Sequence, residues 1–207
     1  MKPTILFTDE EKLKLDQYVM NGGKLLLFGD RLSAEMDSMQ TKKGEVTAFD
    51  RDLKINDLLF NYGVRINADL LMDLQCDFLP FDVNGNGQFE LLPWNYFPVM
   101  ESKNNHPINK GLGFVSGQFV NSLDTVEAEG IKKTVILSSS ANARTIGSPA
   151  VISNKENVNA PEDAKFKRSN IPTAILLEGK FRSMFANRLT QAMSDSLQQY
   201  NIPFSPQ

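Results

Sequence analysis

Between residues 53 and 75 the apolar period changes once, at Gly63, and no other feature constrains the fold as much. Upstream, Ile55, Leu58, Leu59 and Tyr62 stand at i, i+3, i+4 and i+7, which predicts a helix over 53–62 with Gly63 as its stop. Downstream, every even position from Val64 to Leu74 is apolar and every odd one is polar except Leu71, so a half-buried strand is predicted over 64–75. A helix abutting a strand in this way makes the chain α/β. After that strand, Asn84-Gly85-Asn86-Gly87 separates the apolar runs 78–81 and 88–92, and Asn-Gly pairs favour the positive φ angles of hairpin turns. An antiparallel hairpin insertion at about 64–100 is therefore expected to interrupt the α/β alternation.

The amino-terminal end is also well signalled. Thr8 with Glu11 fits a capping box, Leu15, Tyr18 and Val19 form one stripe, and Gly22-Gly23 ends the helix. The apolar run over 24–28 predicts a strand covered on both faces, with Gly29-Asp30-Arg31 at its carboxyl end, where open α/β sheets hold ligands. Further strands are expected at 119–126, 134–137 and 173–177, and a long polar loop at 141–170. Helical spacing of Phe185, Leu189, Ala192, Met193 and Tyr200 predicts a last helix from Ser183, followed by a frayed tail at 203–207.

With 41% hydrophobic and 23% charged residues among 207, the chain can build a core without metals or disulfides, and it reads as a single domain. A net charge of −3 argues against nucleic acid as a partner. The charge is uneven: residues 1–103 hold 11 Lys/Arg and 17 Asp/Glu, net −6, whereas 104–207 hold 11 and 8, net +3. Lys165, Lys167, Arg168, Lys180, Arg182 and Arg188 supply the late positives, which form either a solvated face or a patch for an acidic partner. One cysteine and one histidine exclude a disulfide, a Cys-x-x-Cys pair and poly-histidine zinc sites, and no metal or other cofactor is expected.

Several residues could carry chemistry. Ser138, Ser139 and Ser140, with Asn142 and Arg144 close behind, follow a predicted strand and could hold an anion, although serines there also serve as turns and caps. Asp30 and Arg31 form a second, weaker ligand candidate. The opening of a calcium loop is copied by Asp82 to Gly87, but its twelfth position is Pro93 instead of a bidentate Glu, so a turn is preferred. Cys76 lacks a nucleophile elbow and reads as a buried apolar residue, and His106, before Pro107, reads as a turn residue. Trp94 and Tyr96, with Lys180 and Arg182, could face a partner if exposed, or else pack as a rigid crossover. Two further readings stay open: an amidotransferase-like or hydrolytic enzyme using Cys76 or the serines, and a glycan or peptide binder presenting Trp94 and Tyr96.

Five segments resemble the GldG family, the gliding-motility-associated auxiliary component of an ABC transporter. They are Asp16-Gln17-Tyr18-Val19-Met20-Asn21-Gly22-Gly23-Lys24, Leu58 to Ile66, Pro93-Trp94-Asn95-Tyr96-Phe97-Pro98, His106-Pro107-Ile108, and Leu176-Leu177-Glu178-Gly179-Lys180-Phe181. The resemblance implies a Rossmann-like three-layer fold with a mixed sheet, similar to class I glutamine amidotransferases but without their catalysis. It also implies a membrane-anchored protein at the inner membrane whose soluble domain faces the periplasm, partnered by permease and ATPase subunits. Family members carry membrane-spanning segments and more of the soluble domain upstream, so this chain is expected to be a piece of a longer protein. No catalytic residue carries over.

Overall fold

The computed structural model describes residues 3–36, 45–82, 86–153 and 163–207. Helix α1 (Asp9–Met20) starts where the sequence places it: the Thr8 hydroxyl accepts from the Glu11 amide and the Glu11 carboxylate accepts from the Thr8 amide. Its buried face is not the expected one. Lys12, Leu13, Asp16 and Gln17 are buried while Tyr18 is 53% exposed, and Leu15 and Val19 are only partly covered. Polar groups can occupy that face because each finds a partner, Lys12 on Asp57 at 2.7 Å, Asp16 on Tyr62, Ser183 and Met184, and Gln17 on Ser205 near the carboxyl end.

The run over 24–28 is a correction. It belongs to none of the hydrogen-bonded sheets, and Leu26 and Phe28 are 70% and 59% exposed. A continuous apolar run states that cover is wanted without saying what provides it.

Strand β1 (Glu45–Ala48) is followed by helix α2 (Asn56–Asn61), which buries Leu58 and Leu59 along with Ile55 and Tyr62 on either side, as its period requires. Gly63 then takes φ +96°, and a Cβ there would meet Lys133 and Ala128 side chains at 2.7 and 2.9 Å. The predicted 64–75 strand is two strands, β2 (Val64–Ile66) and β3 (Asp69–Asp73). Only β2 alternates; from Leu70 to Asp73 every residue is buried, with Leu70 and Met72 in one apolar cluster and Leu71 in another beside Ala143 and Ile171, so both faces of β3 are covered.

The hairpin forms as expected from β4 (Cys76–Phe81) and β5 (Glu90–Met100), with Phe81 opposite Glu90, Pro80 opposite Leu91 and Phe78 opposite Pro93. Its turn residues 83–85 lie outside the described residues. Strand β6 (Val115–Ser116) adds to the far end of β5. Of the predicted 119–126 strand only β7 (Leu123–Thr125) is one. Strand β8 (Ile131–Ser138) is longer than predicted, and the expected loop at 141–170 instead carries β9 (Ala143–Gly147) and β10 (Ala150–Ser153), while 154–162 lie outside the described residues. Strand β11 (Pro172–Gly179) matches its expectation, whereas helix α3 (Gln191–Gln199) begins only at the Thr190 cap.

Every sheet among the described residues is small and antiparallel: β1 with β10, β2 with β7, β3 with β9, β8 with β11, and the three-stranded β4-β5-β6. Such pairs are weak alone and depend on the apolar clusters beneath them. One cluster gathers Leu70, Met72, Trp94, Tyr96, Phe97, Phe119 and Ile152, with Trp94 and Tyr96 ring centres 5.1 Å apart and Phe97 edge-on to Phe119 at 5.3 Å. A second joins α2 and β2 to Leu15, Val19, Phe181 and Met184. The third holds Leu13, Phe185 and Leu197 with Ile202 and Phe204. The tail is thus docked, not frayed, and the Ser183 amide donates to the Pro206 carbonyl at 2.9 Å. No described helix is long and apolar enough to cross a membrane.

Candidate functional site

Three of the segments singled out in the sequence converge in space. At their centre lies Asp16 of α1, fully buried, whose carboxylate accepts from the Tyr62 hydroxyl at 2.8 Å, the Ser183 hydroxyl at 2.5 Å, the Gln17 amide at 3.0 Å and the Met184 backbone N–H at 3.2 Å. Four donors replace the water a carboxylate loses on burial, which is what allows it inside without a cation. Burial, reinforced by the Asp16 charge, drives the Tyr62 phenol far above its ordinary value of 10.0, so it stays a donor. Tyr62 also meets the Phe181 ring edge-on at 5.0 Å.

Phe181 also lines a cavity of about 410 Å³, with Val19, Met20, Gly22, Gly179, Lys180 and Gln207. Its size falls in the range of small-ligand sites. Gly179 takes φ +148°, and a Cβ there would lie 2.1 Å from the Gly130 carbonyl oxygen, so only glycine fits the turn that presents Lys180. The tail forms one wall. The Ser205 amide donates to the Gln17 side-chain oxygen at 2.6 Å and the Gln17 amide donates to the Ser205 carbonyl at 3.1 Å, so one side chain pairs with Ser205 as a neighbouring strand would. The cavity offers an exposed ammonium and apolar walls for binding. The buried Asp16 is out of solute reach.

Lys180 alone of the sequence-selected residues lines this cavity; Arg182 is exposed near it, and its carbonyl accepts from Asn61 at 2.7 Å. The serines correct an expectation. Ser138, Ser139 and Ser140 are buried, and Ser140 is taken up by the chain's own carboxylate: Asp73 accepts from the Ser140 amide at 2.7 Å, its hydroxyl at 2.5 Å and the Gln75 amide at 2.9 Å. The Ser139 hydroxyl donates to the Ser140 carbonyl and accepts from the Ile171 amide, and Ser138 exchanges backbone bonds with Glu101. Arg144 sits apart, its guanidinium 5.2 Å from the Phe166 ring centre.

Arg31 likewise serves the fold, donating to Asp50 at 2.8 and 3.0 Å and to the Ile66 carbonyl at 2.7 Å, beside a half-buried Asp30. Burial pushes the Asp50 carboxyl up, but Arg31 and the Asp52 amide more than offset this and hold it below the ordinary carboxylate value. Trp94 and Tyr96 are core residues, 0% and 1% exposed, because β5 turns them under the hairpin onto Phe81 and Phe119; they face no partner.

Burial pushes the Cys76 thiol up to about 11, with Asp73 and Asp77 adding to it, and the thiol points at the Asn95 side chain at 3.4 Å. That is the inert, buried cysteine the sequence suggests. His106 caps the turn Pro107–Asn109, accepting from the Ile108 amide. Asp82 accepts from the Asn86 and Gly87 amides, a turn role, and among the described residues no group of three or more His, Cys, Asp or Glu could hold a metal. Sequence reasoning missed Asp16, Tyr62 and Gln17 as a unit. Their one signal was polar residues on the face of α1 that packs inward.

No curated protein and no solved structure matches the chain. The family model described as an ABC-type uncharacterized transport system matches residues 1–202. That span takes in every described helix and strand, the buried Asp16 network and all but the last residue lining the cavity, and the chain belongs to this family of auxiliary ABC-type transport components.

Proposed function

We propose that the protein is a non-catalytic auxiliary module of an ABC-type transport system serving gliding motility or export, of the GldG kind. In this reading its domain faces the periplasm from an inner-membrane anchor and works against permease and ATPase subunits. The observation that carries it is the family match over residues 1–202. The state of the candidate nucleophiles supports it: the Cys76 thiol is buried with its pKa raised, the serines are engaged by Asp73 and Ile171, and the only histidine is a cap.

The Rossmann-like three-layer arrangement belongs to the same proposal. The segment 24–28 joins no sheet among the described residues and leaves Leu26 and Phe28 exposed, and in this reading a further strand or layer covers it. Affinity purification of the full-length protein from its native membranes, in mild detergent, tests the functional part. Permease and ATPase subunits are expected to co-purify in fixed ratio, and a full-length protein that never brings either down would end the proposal. An experimental structure of that protein tests the architecture, which fails if 24–28 joins no sheet.

A further inference from the structure

The connection between β4 and β5 carries a reaction of its own, independent of the transport reading. Asn86 is followed by Gly87, and in such a pair the glycine nitrogen can attack the side-chain amide carbon of the asparagine, because no side chain on the glycine stands in the way. The Gly87 nitrogen gives up its proton and forms a bond to the Asn86 Cγ, the Cγ–Nδ2 bond breaks, and Nδ2 takes up a proton and leaves as ammonia. Water then opens the resulting cyclic imide at either carbonyl. The products are aspartate, or isoaspartate with the backbone running through Cβ and Cγ, and water is the only co-reactant.

The surroundings of this pair act on the reaction in two opposed ways. Asn86 and Gly87 are exposed, Gly87 takes φ +79°, and a Cβ there would meet nothing within 4 Å, so space and water are at hand. The Gln88 amide donates to the Asn86 Oδ1 at 2.9 Å, and this is the oxygen on which negative charge gathers as nitrogen adds to Cγ. The electrophile is therefore activated. The nucleophile is restrained, because Asp82 sets one carboxylate oxygen on each of two successive amides: Oδ1 accepts from Asn86 at 3.1 Å and Oδ2 from Gly87 at 3.0 Å. The proton that has to leave is thus held in a charge-assisted hydrogen bond, and the amide anion left by its loss would face a carboxylate, like charge against like. No Lys or Arg stands between Ile66 and Ser102, so the hairpin itself supplies no cation to relieve that repulsion.

We propose that Asn86 is a self-modification site, converted to aspartate or isoaspartate through its own chain, and that Asp82 keeps it closed. Conversion adds a negative charge beside Asp82. Isoaspartate also lengthens the backbone between Phe81 and Glu90, the pair at which the β4–β5 ladder ends. Loss of ammonia makes the change one-way, so the hairpin keeps a record of any period in which the Asp82 carboxylate is drawn off the Gly87 amide.

The test incubates the folded protein and the same protein in urea at mildly alkaline pH. Peptide mapping by mass spectrometry follows conversion at Asn86 separately from Asn84, which also precedes a glycine, and an isoaspartyl methyltransferase assay counts the isoaspartate. Asn86 is expected to react at least about tenfold slower in the folded protein than in urea, the effect of one hydrogen bond to a charged group. In the folded state Asp82→Ala should speed the reaction at Asn86 by about tenfold or more, and Asp82→Asn, which keeps the shape and removes the charge, should speed it as well. Circular dichroism checks that both variants are folded, and the comparison of wild type with and without urea stands without them. A folded wild type that reacts as fast as the unfolded chain overturns the proposal. So does either folded variant reacting no faster than wild type; a slower one would make Asp82 the base that takes the Gly87 proton instead of the group that withholds it.

Discussion

Tyr62→Phe removes one oxygen from the buried polar network around Asp16. The phenol donates at 2.8 Å to a carboxylate that is fully buried, and a hydrogen bond to a charged group contributes about 1.5–3 kcal/mol. The ring stays, so its contact with Phe181 and the packing of α2 are unchanged, and Asp16 keeps its other three donors. At about 2.1 cal/mol/K per residue the 207-residue chain has an unfolding entropy of about 0.43 kcal/mol/K near its midpoint, so Tm should fall by about 3–7 °C at pH 7. The alkaline limb provides a second readout. In the folded protein the phenol is held far above 10.0, whereas the unfolded chain releases that proton near its ordinary value. The folded state then binds more protons than the unfolded one. The stabilisation is present in full below about pH 10 and is lost as pH rises beyond it, by up to about 1.4 kcal/mol per pH unit. The gap in Tm between wild type and variant, followed by calorimetry from pH 7 to pH 11, should therefore narrow above pH 10. A gap under about 1 °C at pH 7, or one that stays constant to pH 11, would refute the account of the network.

Other substitutions check the remaining geometry. Asp73→Ala should cost about 2–4 kcal/mol in urea unfolding, because it strands the Ser140 amide and hydroxyl inside; near-neutrality would mean the serines do form a vacant anion site. Gly179→Ala forces a Cβ onto the Gly130 carbonyl at a positive φ and should cost at least about 2 kcal/mol by the same measure, with an unchanged midpoint showing that the turn relaxes freely. Cys76, its thiol pushed up to about 11, should react with a disulfide reagent at pH 8 at least about a hundredfold slower in the folded protein than in denaturant, and equal rates would place it on the surface.

What the sequence made legible was local. The capping box of Thr8 and Glu11, the helix carrying Leu58 and Leu59, and the antiparallel pairing of 78–81 with 90–93 each depend on residues close together in the sequence. All three appear as expected. The misses are long-range. Ser138 to Ser140 look like an open anion cradle because Asp73, the anion, lies 67 positions from Ser140. Trp94 and Tyr96 look like a docking surface because nothing in their own segment says that Phe119 and Ile152 will cover them. The run over 24–28 has the composition of a buried strand, yet composition cannot supply the neighbour that burial requires. The tail reads as loose because its partner, Gln17, is 188 positions away from Ser205.

The pairing of Gln17 with Ser205 makes residues 203–206 a reporter on the rest of the fold. Hydrogen bonds to the Gln17 side chain of α1, the Asn21 side chain at its cap and the Ser183 amide seat the tail together with Phe204 packing, and it loses its seat when either α1 or the 183–185 turn moves. Loss of α1 docking anywhere along its length should thus register first as protease cutting at the carboxyl end, far in sequence from the cause.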